Sequence, residues 1–459
     1  MFYRYAAPAI TSLTFHSLLG GMASHRVVET LARTGGFGVR VARRRLLETF
    51  QHILDVTEGV ESMKPGGKGW VSTVRVRFLH ASVRRRIMKL SGQGGSDEGD
   101  GNGNGDKGEG KSEGGGECKD EEKDGDAPDG PGGNGKDEKK KGKRYYDSDK
   151  FGTPINDLDS IGTIASFSSA LIWMGLPRQG IFLTSQEISD YLALWRYVAY
   201  LIGVPDTITI SSPSSSSSSL TKTTPRTITP FGSPHEAKAV LESLTLSELH
   251  SPSETSCVLA NNIIAALANQ PPLRSSPEFL RAQAYWLNGS RLCQTLKIPR
   301  PPAWYTVLVI SQCLAFMVFC YLRQIHYLAS RWLAWGGGDK EREEVMGPNE
   351  QYKRVRKLMR HITVEMAGGK EARFGFEWVP ERGKYTTSDP GEVEEEKDEG
   401  KVNLGSKKKG GLWERFSARN DGWESRSLKA FLVASTVVGC LVWIGVRGLV
   451  SGTMPLFGR

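Results

Sequence analysis

The chain has no paired-cysteine motif. Its six cysteines, Cys118, Cys257, Cys293, Cys313, Cys320 and Cys440, are scattered without a CxxC, which argues against a disulfide scaffold and a cysteine zinc site and fits a reducing compartment. No strand runs into a glycine-rich phosphate loop, so a nucleotide-binding fold has no support either. The net charge of +9 comes without regular aromatic and basic alternation or zinc-ligand spacing, and no nucleic-acid partner is expected; a membrane surface or an anionic cofactor uses the same charges. A clean secretory signal is also missing. MFYRYAAPAITSLTFHSLLGGMA carries Tyr, Arg, Pro and His through what would be its apolar core, and reads as the start of a folded helical region. Apolar content is slightly low at 38%, and 53 glycines, many in biased tracts, explain much of the shortfall.

What is present is helical periodicity. At 459 residues the chain has room for two or three domains, or for one large domain with insertions and a tail. Between Gly38 and Gly59, Leu46, Phe50, Ile53 and Leu54 recur at helical spacing and predict a helix over about 39–57. On it Arg45, Glu48, Thr49 and His52 form a polar line at i, i+3, i+4 and i+7, which is either the solvent side of a surface helix or a functional face. After a Gly- and Pro-rich turn ending at Gly69, the stretch Val74 to Leu90 places Val76, Leu79, Val83, Ile87 and Leu90 on an apolar surface, with Arg77, His80 and Arg84 beside it. A histidine framed by arginines can cradle an anionic cofactor; it can equally be a packed core histidine without chemistry.

Residues 92–144 are dominated by Gly, acidic residues and Lys. They cannot offset their ordering entropy by burial and are expected to be a disordered insertion. Asn156, Asp157 and Asp159 mark a helix start leading into an apolar helix over about 161–176, and local capping is a better use for these carboxylates than metal binding. Ser185 and Glu187 are expected to cap the next helix, whose stripe contains Tyr191, Trp195 and Leu201. A second low-complexity insertion is expected at 207–230, rich in Ser and Thr. Helical patterns then return from His235 to the Pro299, Pro301, Pro302 boundary. The expected core is an all-α domain over residues 1–330, interrupted twice.

Two apolar segments bear on membranes. Ala303 to Leu322 has no charge and is long enough to cross a bilayer, although a buried or membrane-dipping helix fits it nearly as well. Residues 429–450 are expected to form a C-terminal transmembrane helix, with a dimer helix as the alternative. Lys407 to Lys409, Arg415, Arg419, Arg426 and Lys429 precede this segment, and only Arg447 and Arg459 follow. As a single anchor it would leave the main domain cytosolic. Residues 331–428 read as polar, charged and partly disordered, with a small element around HITVEMAGGKEARFGFEW and His361 at the surface. The Asn288-Gly-Ser sequon matters only if it is lumenal.

Arg45-Leu-Leu-Glu48-Thr49, then Arg77-Phe-Leu-His80-Ala-Ser-Val-Arg84, then Asn156-Asp-Leu-Asp159 before an apolar helix, resembles the haem-oxygenase-like domain of bacterial latex clearing proteins (rubber oxygenases) and of fungal ER-bound MpaB-type oxygenases. The resemblance spans residues 1 to about 330, outside the two insertions. It implies a multi-helix latex clearing protein type fold and haem b, with His80 as proximal iron ligand and Arg45 and Thr49 near the haem. Arg77 and Arg84 are the nearest candidates to pair with its propionates. A lysine able to ligate the distal side in the family corresponds here to Glu48, a departure that leaves distal coordination open, and the family's proposed base falls on Glu29. The implied activity is oxidation by dioxygen of a long apolar prenyl or lipid-like substrate, including cleavage of a carbon-carbon double bond, at the endoplasmic reticulum or another intracellular membrane. The alternatives are a haem-free helical membrane protein, with Glu48 paired to Arg45 or His52, and an interaction scaffold.

Overall fold

A computed structural model describes residues 1–34, 38–93, 145–210, 226–270, 274–335 and 348–367. The helix expected at 429–450, nearly all of 92–144 and most of 331–428 lie outside the described residues.

The described residues are all-α apart from one small hairpin. The chain starts with a buried 3₁₀ turn that leads into α1 (Ala6–Ser12), a π-helical run Leu13–Leu19 and a 3₁₀ turn Gly20–Ala23. Phe2, Tyr5, Ala9, Leu13, Phe15 and Leu19 are buried, so this opening segment is part of the core. Next come α2 (His25–Ala32), α3 (Val39–Val56), the single turn α4 (Val60–Met63) and α5 (Lys68–Gln93). Leu46, Ile53 and Leu54 are buried on α3, and Val76, Val83 and Ile87 on α5, as the helical periodicity requires.

The approach of α5 to α3 depends on a glycine. A Cβ at Gly69 would lie 2.6 Å from Met63 Sδ and 2.7 Å from the Asp55 carbonyl oxygen. Ser62 closes the corner, its hydroxyl donating to Asp55 O at 2.6 Å and accepting from Gly69 N–H at 2.9 Å. The first turn of α5 is therefore clamped to the last turn of α3, which fixes where residues further along α5 face.

After the turn α6 (Ser148–Phe151), helix α7 (Asp157–Phe167) begins with Asn156 and Asp159 capping each other's backbone N–H groups, as their spacing predicts. It ends sooner than expected. Ser168 Oγ donates back to Ile164 O at 2.7 Å, and the chain continues as a separate π-helical turn, Leu171–Gly175, and a 3₁₀ turn, Pro177–Gln179. Helix α8 (Ser185–Ile202) is capped by Thr184 with Glu187, one residue before the serine expected in that role.

The segment expected to be an insertion over 207–230 has ordered ends. Strands Ile208–Ile210 and Arg226–Ile228 pair antiparallel, because both carry β-branched Ile and Thr alternation; 211–225 lie outside the described residues. Helices α9 (Pro234–Glu248), α10 (Glu254–Leu267), α11 (Pro277–Asn288), α12 (Ser290–Thr295) and α13 (Ala303–Trp335) complete the body. A further helix, α14 (Pro348–Met366), packs on α3 and contains the helical part of the element expected near 361–378. His361 is exposed on it.

The two largest apolar clusters make most of the interior among the described residues. One gathers the start of the chain, α7 and α8 around Trp195 and Tyr191; the other joins the Leu13–Leu19 run, α10 and α11 around Phe15, Ile263 and Leu287.

Candidate functional site

A cavity of about 1160 Å³ lies where these clusters face each other. Its wall takes Ile164 and Trp195 from the first and Met22, Leu46 and Ile263 from the second. It is larger than the usual small-molecule pocket of about 300–1,000 Å³.

The polar line of α3 faces this cavity. Arg45, Glu48, Thr49 and His52 all line it, and His80 and Val83 of α5 join them. The surface-helix reading of that line is thus corrected: a polar stripe lining an internal chamber has the same periodicity as one facing solvent. Glu48 is 8% exposed and accepts from Arg44 Nε at 3.0 Å. Arg44, which the sequence did not single out, is thus an ion-pair partner of Glu48. Arg45 Nη2 donates to the carbonyl of Thr34, and burial pulls its pKa below the usual arginine value, with Glu48 acting the other way.

Four histidines line the cavity, and burial holds three of them, His16, His52 and His80, neutral. His52, whose Nδ1 is 2.8 Å from Ser72 Oγ, has its pKa lowered to about 4 by desolvation and then by His80. His80 is lowered to about 4 by desolvation and then by the Arg84 charge. Its Nδ1 is buried with no hydrogen-bond partner among the described residues. His16, on the π-helical run, is lowered to about 3 by desolvation and then by Arg178, and its Nε2 is likewise buried and unpartnered. The opening segment shows no motif around His16, and sequence reasoning passed over it. A hint existed only in its position, a histidine set within an apolar helical run.

The remaining expected site residues lie elsewhere. Glu29 does not line the cavity; on α2 it pairs with Arg33 and lies 3.6 Å from His25 Nε2. Arg77 donates to Leu201 O at 3.2 Å, and Arg84 to Pro154 O at 3.2 Å and to Ile155 O. Neither guanidinium is part of the cavity wall. Asp159 is part of it, and beyond its capping role it accepts from Arg26 Nη2 at 2.9 Å. Arg26 also lies 3.5 Å from Glu248. Among the described residues no group of three His, Cys, Asp or Glu side chains is placed to hold a metal ion. The sequon asparagine, Asn288, is 9% exposed and its Nδ2 donates to Phe15 O at 2.9 Å, while its Oδ1 is buried without a partner among the described residues.

Residues 134–318 match the family model described as ER-bound oxygenase mpaB/B'/Rubber oxygenase, catalytic domain. Over that span the match bears out the family read from the sequence, and the family is one of oxygenase catalytic domains; the Arg45 to Thr49 and Arg77 to Arg84 motifs lie before it. No curated protein and no solved structure gives a significant match. The matched span contributes Asp159, Ile164, Arg178, Trp195, Asn288 and Arg291 to the cavity wall, while Arg45, Glu48, Thr49, His52 and His80 come from helices before it. The fold brings both sets to one chamber.

Proposed function

We propose that the chain is a haem-b-dependent oxygenase acting on a long apolar substrate, with His80 as the iron ligand. One observation carries the reading: an uncharged imidazole with a buried, unpartnered nitrogen faces a large, mainly apolar chamber that also holds Arg45, Glu48 and Thr49. Iron takes a neutral imidazole, and a histidine held well below its ordinary pKa is neutral throughout the physiological range. The chamber volume and the arginines of its wall also fit a bulky, anionic macrocycle. When bound, haem supplies the iron centre at which dioxygen is activated.

The chain's own residues divide the remaining work. Glu48, where the family has a lysine, is a carboxyl side chain paired with Arg44, so it would offer no amine to an iron centre. Arg45 and Thr49, one turn apart on α3 and both on the cavity wall, would supply hydrogen-bond donors to a product carbonyl. The apolar wall from Leu46, Val76, Leu79, Val83 and Ile263 takes the hydrocarbon chain and excludes water. The reaction we propose is addition of dioxygen across an isolated carbon-carbon double bond, with both oxygen atoms ending in the two carbonyl groups formed when that bond breaks.

An apolar substrate also accounts for α13. Ala303–His326 is long and apolar enough to cross a membrane, and its 24 residues make about 36 Å of helix, against a hydrocarbon core of about 30 Å. One side packs on α11 through Phe279, Ala282, Leu308 and Val309, with a buried Gln283 Nε2 to Gln312 Oε1 hydrogen bond of 2.8 Å. The other exposes Trp304, Val307, Leu314, Phe319 and Ile325, and we place this face against lipid.

The test is a pyridine haemochromogen assay on the purified full chain, followed by dioxygen consumption with a polyprenyl substrate. Stoichiometric haem is expected. Absence of haem under conditions that load a known haemoprotein overturns the reading.

A further inference from the structure

The cavity wall carries more positive charge than it neutralises internally. Five arginines line it, Arg26, Arg44, Arg45, Arg178 and Arg291, against three carboxylates, Glu48, Asp159 and Glu248. Each carboxylate already has an arginine: Glu48 pairs with Arg44, and Asp159 and Glu248 both pair with Arg26. Arg178 and Arg291 are left without a hydrogen-bond or ion-pair partner among the described residues. Both are exposed while lining the cavity, which places them where it opens to solvent.

The chain segments that carry these two cations are both anchored to one helix. Trp286 Nε1 donates to the Arg178 carbonyl at 2.8 Å, tying the turn that carries Arg178 to α11, whose end leads through Gly289 directly to Arg291. Next to them are two buried polar groups with unsatisfied atoms. His16, 8% exposed, has a free Nε2 and is close enough to Arg178 to feel its charge, and Asn288, 9% exposed, has a free Oδ1. Both line the cavity. Buried polar atoms without partners are rare in folded proteins, and such a pair beside unpaired arginines marks a place built for a polar group from outside the chain.

We infer that this mouth binds the carboxylate head of an amphiphilic substrate, whose hydrocarbon chain runs inward along the apolar wall toward His80. The inference rests on the apolar-substrate reading above and narrows it, from any long hydrocarbon to one bearing a single anionic head. Arginine suits the role because its planar fork matches a carboxylate. His16 donates to the head from Nε2 in the corresponding tautomer, and Asn288 Oδ1 accepts from a water or hydroxyl accompanying it. A fixed head also sets the distance along the chain at which oxidation occurs, so products would share one length on the carboxylate side.

The probe pair is dodecanoate and dodecanol, identical except for the head, titrated calorimetrically into the haem-free full chain at pH 8. Dodecanoate is expected to bind about tenfold tighter than the alcohol. This preference should fall with added salt and disappear in the Arg178→Gln/Arg291→Gln double variant. Both side chains are exposed, so an unchanged unfolding transition is expected; if the double variant misfolds, Arg291→Gln alone and the salt titration of the natural chain carry the test. Equal binding of acid and alcohol, or a preference that survives the double substitution, overturns the site. So does a double variant that keeps the preference for dodecanoate but loses affinity for haem and not for haem dimethyl ester, since the arginines then hold propionates. Because fatty-acid binding is read without haem, failure of the haem reading and failure of this site are separate results.

Discussion

Replacing His16 by glutamine should make the protein less sensitive to acid. In the folded chain His16 has its pKa lowered to about 3, and an unfolded histidine titrates near about 6.5. Between these values the unfolded state binds a proton that the folded state refuses, so stability falls as pH drops below about 6.5 and the loss levels off only near the folded value. From pH 7.5 to pH 5 one such histidine costs about 2 kcal/mol. His52 and His80, both lowered to about 4, cost about the same over that interval, and together the three remove about 6 kcal/mol, comparable with the whole stability of many domains. Asp159 titrates in the opposite sense, since burial raises its pKa, so the difference between proteins is the informative quantity. Urea unfolding of both proteins, followed by circular dichroism at pH 7.5 and pH 5, should show His16→Gln losing about 2 kcal/mol less than the natural chain. Equal losses in the two proteins would refute the claim that His16 is buried neutral at the cavity wall.

Close backbone contacts and the outer face of α13 supply further expectations. Gly175→Ala would drive a Cβ into the Ser12 side chain and to 3.2 Å from His16 Cδ2, and should lower stability by about 1–3 kcal/mol in the same urea assay; an unchanged midpoint contradicts the close packing of the Leu171–Gly175 turn on the end of α1. Val307→Ser with Phe319→Ser, both on the exposed side of α13, should reduce co-sedimentation with phospholipid vesicles at least several-fold while leaving thermal unfolding in place. Retained vesicle binding would remove α13 as the lipid-facing surface.

The helices around the site were legible because burial on α3 and α5 follows a simple apolar period. Leu46, Ile53, Val83 and Ile87 announce both helices and the face each buries. The destination of the polar stripe was not legible, since Arg45, Glu48, Thr49 and His52 repeat at the spacing of a solvent-facing surface while in fact they line a chamber. Nor could periodicity locate His16, because a π-helical run shifts the register by a residue and no motif surrounds it. Arg77 and Arg84 looked like cofactor partners from their closeness to His80 in sequence, yet their guanidinium groups close loops through backbone carbonyls. Arg178 and Arg291 lie 113 positions apart, and only the fold puts both on the wall of one cavity. The break after Phe167 depends on Ser168 turning back to its own helix, a local competition that an apolar run does not reveal.

Titration of hemin into the full chain, followed by the Soret band, addresses the role of His80 most directly. The natural chain should show a saturable band at one haem per chain. In His80→Ala the band should shift and weaken, and added imidazole should restore it, as expected when the missing group is an iron ligand and the chamber is otherwise intact. A Soret band in His80→Ala identical in position and affinity to that of the natural chain would contradict ligation by His80.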